Sequence, residues 1–146
     1  MKPEQVYEVW IRTAPEIVWT AITDGEWTQR YFHQTRIESD WRPGSPVVMW
    51  MEDGGKAIEG ELLECLPPQR LSFTWGVRYD DEMAKEAPSR VTFEIDRFGE
   101  SSRLRVIHDR FPAGSRVADQ VAGVGWMSIL SNLKTLLETG EPMPIS

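Results

Sequence analysis

Leu71-Ser72-Phe73-Thr74-Trp75-Gly76-Val77 alternates an apolar residue with a small or polar one at every step. A period of two sends the two sets to opposite faces of a strand, so the stretch reads as a half-buried β-strand with Phe73 and Trp75 facing inward. The alternation recurs in Val91-Thr92-Phe93-Glu94-Ile95-Asp96. It returns after Phe98-Gly99-Glu100, with Leu104, Val106 and His108 on one face and Arg103 and Arg105 on the other. Upstream, Asp53-Gly54-Gly55 is a hairpin signal joining the apolar run Val47 to Met51 to a return strand, Ala57 to Cys65, which Pro67-Pro68 stops. Arg42-Pro43-Gly44-Ser45-Pro46 turns the chain before that run, and Gln5 to Arg12 gives a first strand with Tyr7, Val9 and Ile11 on one side. Short strands joined by tight turns predict an antiparallel meander.

Helical signals flank the meander. Thr13-Ala14-Pro15-Glu16 reads as a start with Thr13 as cap and Pro15 in the first turn. Ala14, Val18, Ala21 and Ile22 give that helix its apolar side, and Thr23-Asp24-Gly25-Glu26 opens a second short helix carrying Trp27, Tyr31 and Phe32. From about Ser115 to Thr139 the apolar residues Trp126, Ile129, Leu130, Leu133, Leu136 and Leu137 recur at helical spacing, and Gly140 with Pro142 stops the run. One helix of that length spans about 36 Å, enough to cross a sheet. Gly123 and Gly125 sit inside it, each costing about 1 kcal/mol against alanine. Either backbone or ligand approaches closely there, or the helix tolerates them. The acidic stretch Arg78 to Ser89 is longer than a hairpin needs; it reads as a mobile surface insertion not needed for folding, or as a lid.

Composition bounds the function. The 146 residues, 40% hydrophobic and 27% charged, suit one globular domain spanning 1–146. A net charge of −7 removes the electrostatic basis for nucleic-acid binding. No apolar run approaches 18 residues, which speaks against membrane insertion. One cysteine, Cys65, and a polar N-terminus without an apolar leader predict a cytoplasmic protein. Seven tryptophans predict a packed aromatic core, a lined pocket, or both.

Catalytic signals are sparse. Two histidines and one cysteine lie on distant elements without metal-ligand spacing, there is no nucleophile elbow or P-loop, and Gly123-Val124-Gly125 lies within a helix. No catalytic residue, metal or cofactor is assigned. His108 shares the inward strand face, either as a hydrogen-bonded core residue or as the polar handle of a pocket. Parity and the helical stripe bring Phe73, Trp75, Phe93, His108 and Trp126 together between sheet and helix, as candidate ligand-binding residues.

These residues, taken in order, resemble a known family. Ala14-Pro15-Glu16-Ile17-Val18-Trp19 with Thr23-Asp24, Arg42-Pro43-Gly44, Gly60-Glu61-Leu62-Leu63-Glu64, Pro67-Pro68-Gln69-Arg70-Leu71-Ser72-Phe73-Thr74-Trp75, Val91-Thr92-Phe93, Ile107-His108 and Gly125-Trp126 are similar to homologues of the activator of the heat-shock-protein-90 ATPase, in the START-like helix-grip superfamily. The resemblance implies an α+β fold. A seven-stranded antiparallel sheet curls around a long C-terminal helix, and two short helices follow the first strand. It also implies an apolar cavity between helix and sheet. The expected function is binding of a hydrophobic small molecule there. The alternatives are a cyclase- or hydrolase-type enzyme using His108 in that pocket, and a chaperone cofactor working through its surface. Whether the chain forms a homodimer stays open.

Overall fold

The computed structural model describes residues 3–144. Strand β1 (Gln5–Ile11) leads into helices α1 (Pro15–Thr23) and α2 (Gly25–Tyr31). Six further strands follow, β2 (Arg36–Ser39), β3 (Pro46–Trp50), β4 (Lys56–Leu66), β5 (Arg70–Val77), β6 (Ser89–Phe98) and β7 (Ser101–Asp109). They form one antiparallel sheet in the order β1-β7-β6-β5-β4-β3-β2. The chain thus starts at one edge, crosses to the other through α1 and α2, and returns as a meander that ends beside β1. The expected α+β helix-grip fold is what the chain adopts.

Period-two patterning sets the register. Leu62 pairs with Phe73, Phe73 with Val91 and Val91 with His108, so these four side chains form one inward row across four strands. All four are essentially excluded from solvent. Register shifts at Met49/Trp50 and Leu62/Glu64 mark irregularities that bend the sheet. Gly60 lies close to the second. A β-carbon there would stand 1.8 Å from the Thr74 carbonyl oxygen, so no residue with a side chain fits without moving the backbone.

Cap chemistry differs from expectation at α1. The cap position is Ala14, which has no side-chain acceptor, rather than Thr13. Glu16 turns outward and pairs with Arg97 at 2.9 Å. At α2 the helix starts where expected, but the cap is Asp24 rather than Thr23: Asp24 Oδ1 accepts from the Glu26 amide at 2.8 Å, while the Thr23 hydroxyl donates back to the Trp19 carbonyl at 2.7 Å.

The C-terminal run is not one uninterrupted helix. Ser115 caps a short helix α3 (Arg116–Gln120) by accepting from the Ala118 amide at 3.0 Å. A wide turn, Val121–Gly125, follows, and backbone geometry leaves the helix at Gly123 (ψ −111°). Helix α4 (Trp126–Thr139) then buries Trp126, Ile129, Leu130, Leu133 and Leu136 and ends on Gly140 at φ +87°. The even spacing hid the break because the apolar stripe begins only at Trp126. Helix α4 also packs at the C-terminal end of β1, an edge strand: Lys134 Nζ donates to the Trp10 carbonyl at 2.5 Å, and Glu138 Oε2 accepts from the amide of Arg12, just past the strand, at 2.8 Å.

The expectation of a mobile, dispensable segment after β5 does not match the contacts. Residues 78–88 carry a single 3-10 turn, Met83–Lys85, and Asp80 Oδ1 holds the approach to it by accepting from the amides of Glu82 and Met83 at 2.9 Å each. Met83 is buried with 7% of its surface exposed. Glu86 reaches α3, where its carboxylate accepts from Ser115 Oγ at 2.6 Å and from the Arg116 amide at 2.8 Å. Ser89 belongs to β6 and is buried.

Candidate binding cavity

Strand parity turns His108 inward, and its exposure is 0%. Trp126 Nε1 donates to His108 Nδ1 at 3.1 Å, and His108 Nε2 lies 2.7 Å from Ser89 Oγ. An indole N–H only donates, so Nδ1 is the unprotonated nitrogen and Nε2 carries the hydrogen toward Ser89. The Ser89 hydroxyl passes the chain on to the Trp75 carbonyl at 3.4 Å. Burial holds the ring neutral, pushing its pKa down to about 3, with the nearby Asp109 carboxylate opposing weakly. Helix α4, β6, β7 and β5 are thereby tied together by one neutral relay.

In front of that relay a cavity of about 420 Å³ opens between sheet and helix. Met49, Met51, Ala57 and Ile58 of the β3–β4 hairpin form one wall. Phe32, His33 and Thr35, from the turn between α2 and β2, form another. Val121, Val124, Trp126 and Ile129 close it from the broken C-terminal helix, and Trp75 forms its floor. Among the described residues, no aspartate, glutamate, lysine or arginine lines it. At the mouth, Tyr79 donates its hydroxyl to Gln120 Oε1 at 2.5 Å, linking residues 78–88 to α3. Tyr79 is 45% exposed and Val124 81%, so the rim meets solvent through an aromatic and an aliphatic side chain.

The five residues singled out by parity form one contiguous cluster. Ring centroids stand 5.5 Å apart for Trp75 and Trp126, 5.9 Å for Phe93 and Trp126, 6.2 Å for Phe73 and Phe93, and 5.6 Å for Trp75 and His108. Trp75 and Trp126 face the cavity. Phe73, Phe93 and His108 stand behind them in the core. Sequence reasoning missed the opposite wall. Met49 and Met51 have the same strand parity, and Phe32 ends α2, but only the curl of the sheet brings them over Trp75. Phe32 completes the aromatic floor, edge-on to Trp126 at 5.7 Å. Neither glycine marks a tight approach. A β-carbon at Gly123 would meet nothing within 4 Å, and one at Gly125 would lie 3.4 Å from the Gln120 carbonyl oxygen. Both lie in the turn that borders the cavity.

Among the described residues, no three His, Cys, Asp or Glu side chains gather as a metal site, and no helix is long and apolar enough to cross a membrane.

The sequence pattern of the family described as activator of Hsp90 ATPase homolog 1-like protein matches residues 12–138. This chain belongs to that family. No curated protein matches it. Solved structures share the architecture of this Hsp90-activator-homolog-like chain. The Mesorhizobium loti protein MLL2253 superposes with a TM-score of 0.77 at 25% identity, covering 92% of this chain and 96% of its own. PFC0360w of Plasmodium falciparum, called an HSP90 activator, gives 0.74 at 21%, covering 92% and 95%. The Aha1 dimer from Colwellia psychrerythraea gives 0.74 at 15%, covering 95% and 98%. At such identities the latter two speak to the fold alone.

Proposed function

We propose that this protein binds a hydrophobic small molecule in the cavity between the sheet and the C-terminal helix. The observation that carries the reading is the wall itself. Two indoles, a phenyl ring, two thioethers and several aliphatic chains enclose about 420 Å³, with no permanently charged side chain among them. Ligand pockets of roughly 300–1,000 Å³ with this apolar lining and a few polar groups are the common form of small-molecule site. Trp75 and Trp126 are the proposed contacts; Phe73, Phe93 and His108 hold them in place. Acid–base chemistry by His108 lacks support, because both ring nitrogens are bonded within the protein and the ring lies behind the cavity wall. A cytoplasmic location belongs to the same reading.

Titration with neutral N-phenyl-1-naphthylamine tests it. Tryptophan emission is expected to fall with a dissociation constant on the order of micromolar, about −8 kcal/mol. An unchanged signal, together with native mass spectra showing no co-purified small molecule, overturns the reading.

The family's description favours a second reading, partnership with the Hsp90 chaperone through the outer surface. Stimulation of Hsp90 ATP hydrolysis by the added protein is its measure.

A further inference from the structure

The cavity does not end at its rim. A second groove of about 660 Å³ adjoins it and shares four lining residues with it, His33, Val124, Ser128 and Ile129. The two spaces differ in chemistry. Where the cavity offers methionine and indole, the groove adds the amides of Gln29, Gln34 and Asn132 and the guanidinium of Arg30. Aspartate and glutamate account for 23 of the 146 residues against 16 lysines and arginines, yet among the described residues no carboxylate side chain lines either space. Among the described residues, the only permanently charged side chain lining either of them is that of Arg30.

That cation is held in place. Its Nη2 donates to the Gly140 carbonyl at 3.0 Å, and the guanidinium lies 5.5 Å over the Trp27 ring. A guanidinium has five N–H donors, so most remain for a further acceptor in the fork geometry that suits a carboxylate. His33 and Gln34, both at positive φ (49° and 59°), form the turn where cavity and groove meet.

We propose that the ligand is an amphiphile bearing a carboxylate. Its apolar body fills the cavity, its head passes His33 into the groove, and Arg30 takes the charge. This rests on the cavity reading above and adds the class of head group. A cationic head finds no carboxylate side chain among the described lining residues and meets Arg30 instead.

Three probes with the same ten-carbon chain separate the terms: decanoate, decan-1-ol and decylammonium, each below its micellar range and read by tryptophan emission at about pH 7.5, where the acid and the amine are both ionised. Decanoate is expected to bind at least about tenfold more tightly than decylammonium, with the alcohol between. Raising salt from about 50 mM to about 500 mM narrows the gap between acid and alcohol without moving the alcohol, because only the charged contact is screened. Arg30→Met brings decanoate to the level of the alcohol. Since Arg30 also ties down Gly140, Gln34→Glu at an exposed position gives an independent variant, expected to weaken decanoate and strengthen decylammonium. Decylammonium binding as tightly as decanoate, or an acid preference that survives both variants and high salt, overturns the head-group assignment while alcohol binding leaves the cavity reading intact. Failure of all three probes to bind overturns both.

Discussion

His108 ties three strands and the last helix into one neutral relay, and its titration follows from that. The free imidazole takes a proton near 6.5, whereas the folded one resists until about 3. Between those values the unfolded chain binds more protons than the folded one. Stability is therefore complete above the free value and is lost as pH falls through the window, by up to about 1.4 kcal/mol per pH unit. Arg90 holds the Asp109 carboxyl low and Lys134 does the same for Glu138, but those groups contribute only as pH nears ordinary carboxylate values. Urea denaturation at about pH 7, 6 and 5 is expected to show the decline in the native protein and a flatter profile in His108→Gln. Trp126→Phe keeps an aromatic ring at the position but removes the indole N–H and leaves Nδ1 without its donor inside the core, at a cost of about 1–3 kcal/mol for the lost bond alone. A loss under about 0.5 kcal/mol in the same assay removes the relay from the stability of the fold. Sequence parity turns His108 inward and the helical stripe brings Trp126 beside it, but neither reveals the hydrogen bond between them, and Ser89, at the end of the acidic stretch, gives no sign of being the other partner. The bonds join residues 19 and 18 positions away from His108, set by the register of β6 on β7 and by where α4 begins.

Among the elements, α4 and residues 78–88 depend on the core in opposite ways. Leu133 is 1% exposed on the buried face of α4, so Leu133→Ala is expected to cost about 2–5 kcal/mol by chemical denaturation. Replacing residues 78–88 with a short glycine turn removes the buried Met83 and strips α3 of the Glu86 acceptor. A melting temperature lowered by more than about 5 °C follows for a domain of this size if at least about 2 kcal/mol is lost. An unchanged melting temperature restores the dispensable insertion. Strands β5, β6 and β7 were legible because each alternates cleanly, whereas the four-residue β2 was too short to leave a pattern and the cap of α2 fell on Asp24, one residue past the threonine of the signature. The break at Gly123 was not legible, although two glycines within three positions signalled it. Helical periodicity is read from apolar residues, and this stretch offers few that are buried.

At the scale of the molecule, the cavity exists because the sheet bends away from a helix that is itself interrupted. The curl comes from bulges and from the close passage of Gly60 over Thr74, features that lie between elements and leave no periodic trace in the sequence. Hence the floor of the site was legible and the opposite wall was not. Filling the wall tests the space directly. Ala57→Leu adds bulk where the cavity has room, so affinity for N-phenyl-1-naphthylamine is expected to drop about tenfold, with the melting point held to within the cost of a mild overpacking, about 1 kcal/mol. Equal affinity in the variant places the probe elsewhere. An open sheet also carries a hazard that a closed barrel avoids, since its outermost strand presents bare amides and carbonyls to any passing chain. The ammonium of Lys134 occupies the Trp10 carbonyl of β1, and the carboxylate of Glu138 takes the Arg12 amide just past the strand's end. The last helix is thus a guard against fibrillation as well as a core element. Lys134→Ala should nucleate thioflavin-positive aggregates sooner than the parent protein at equal stability.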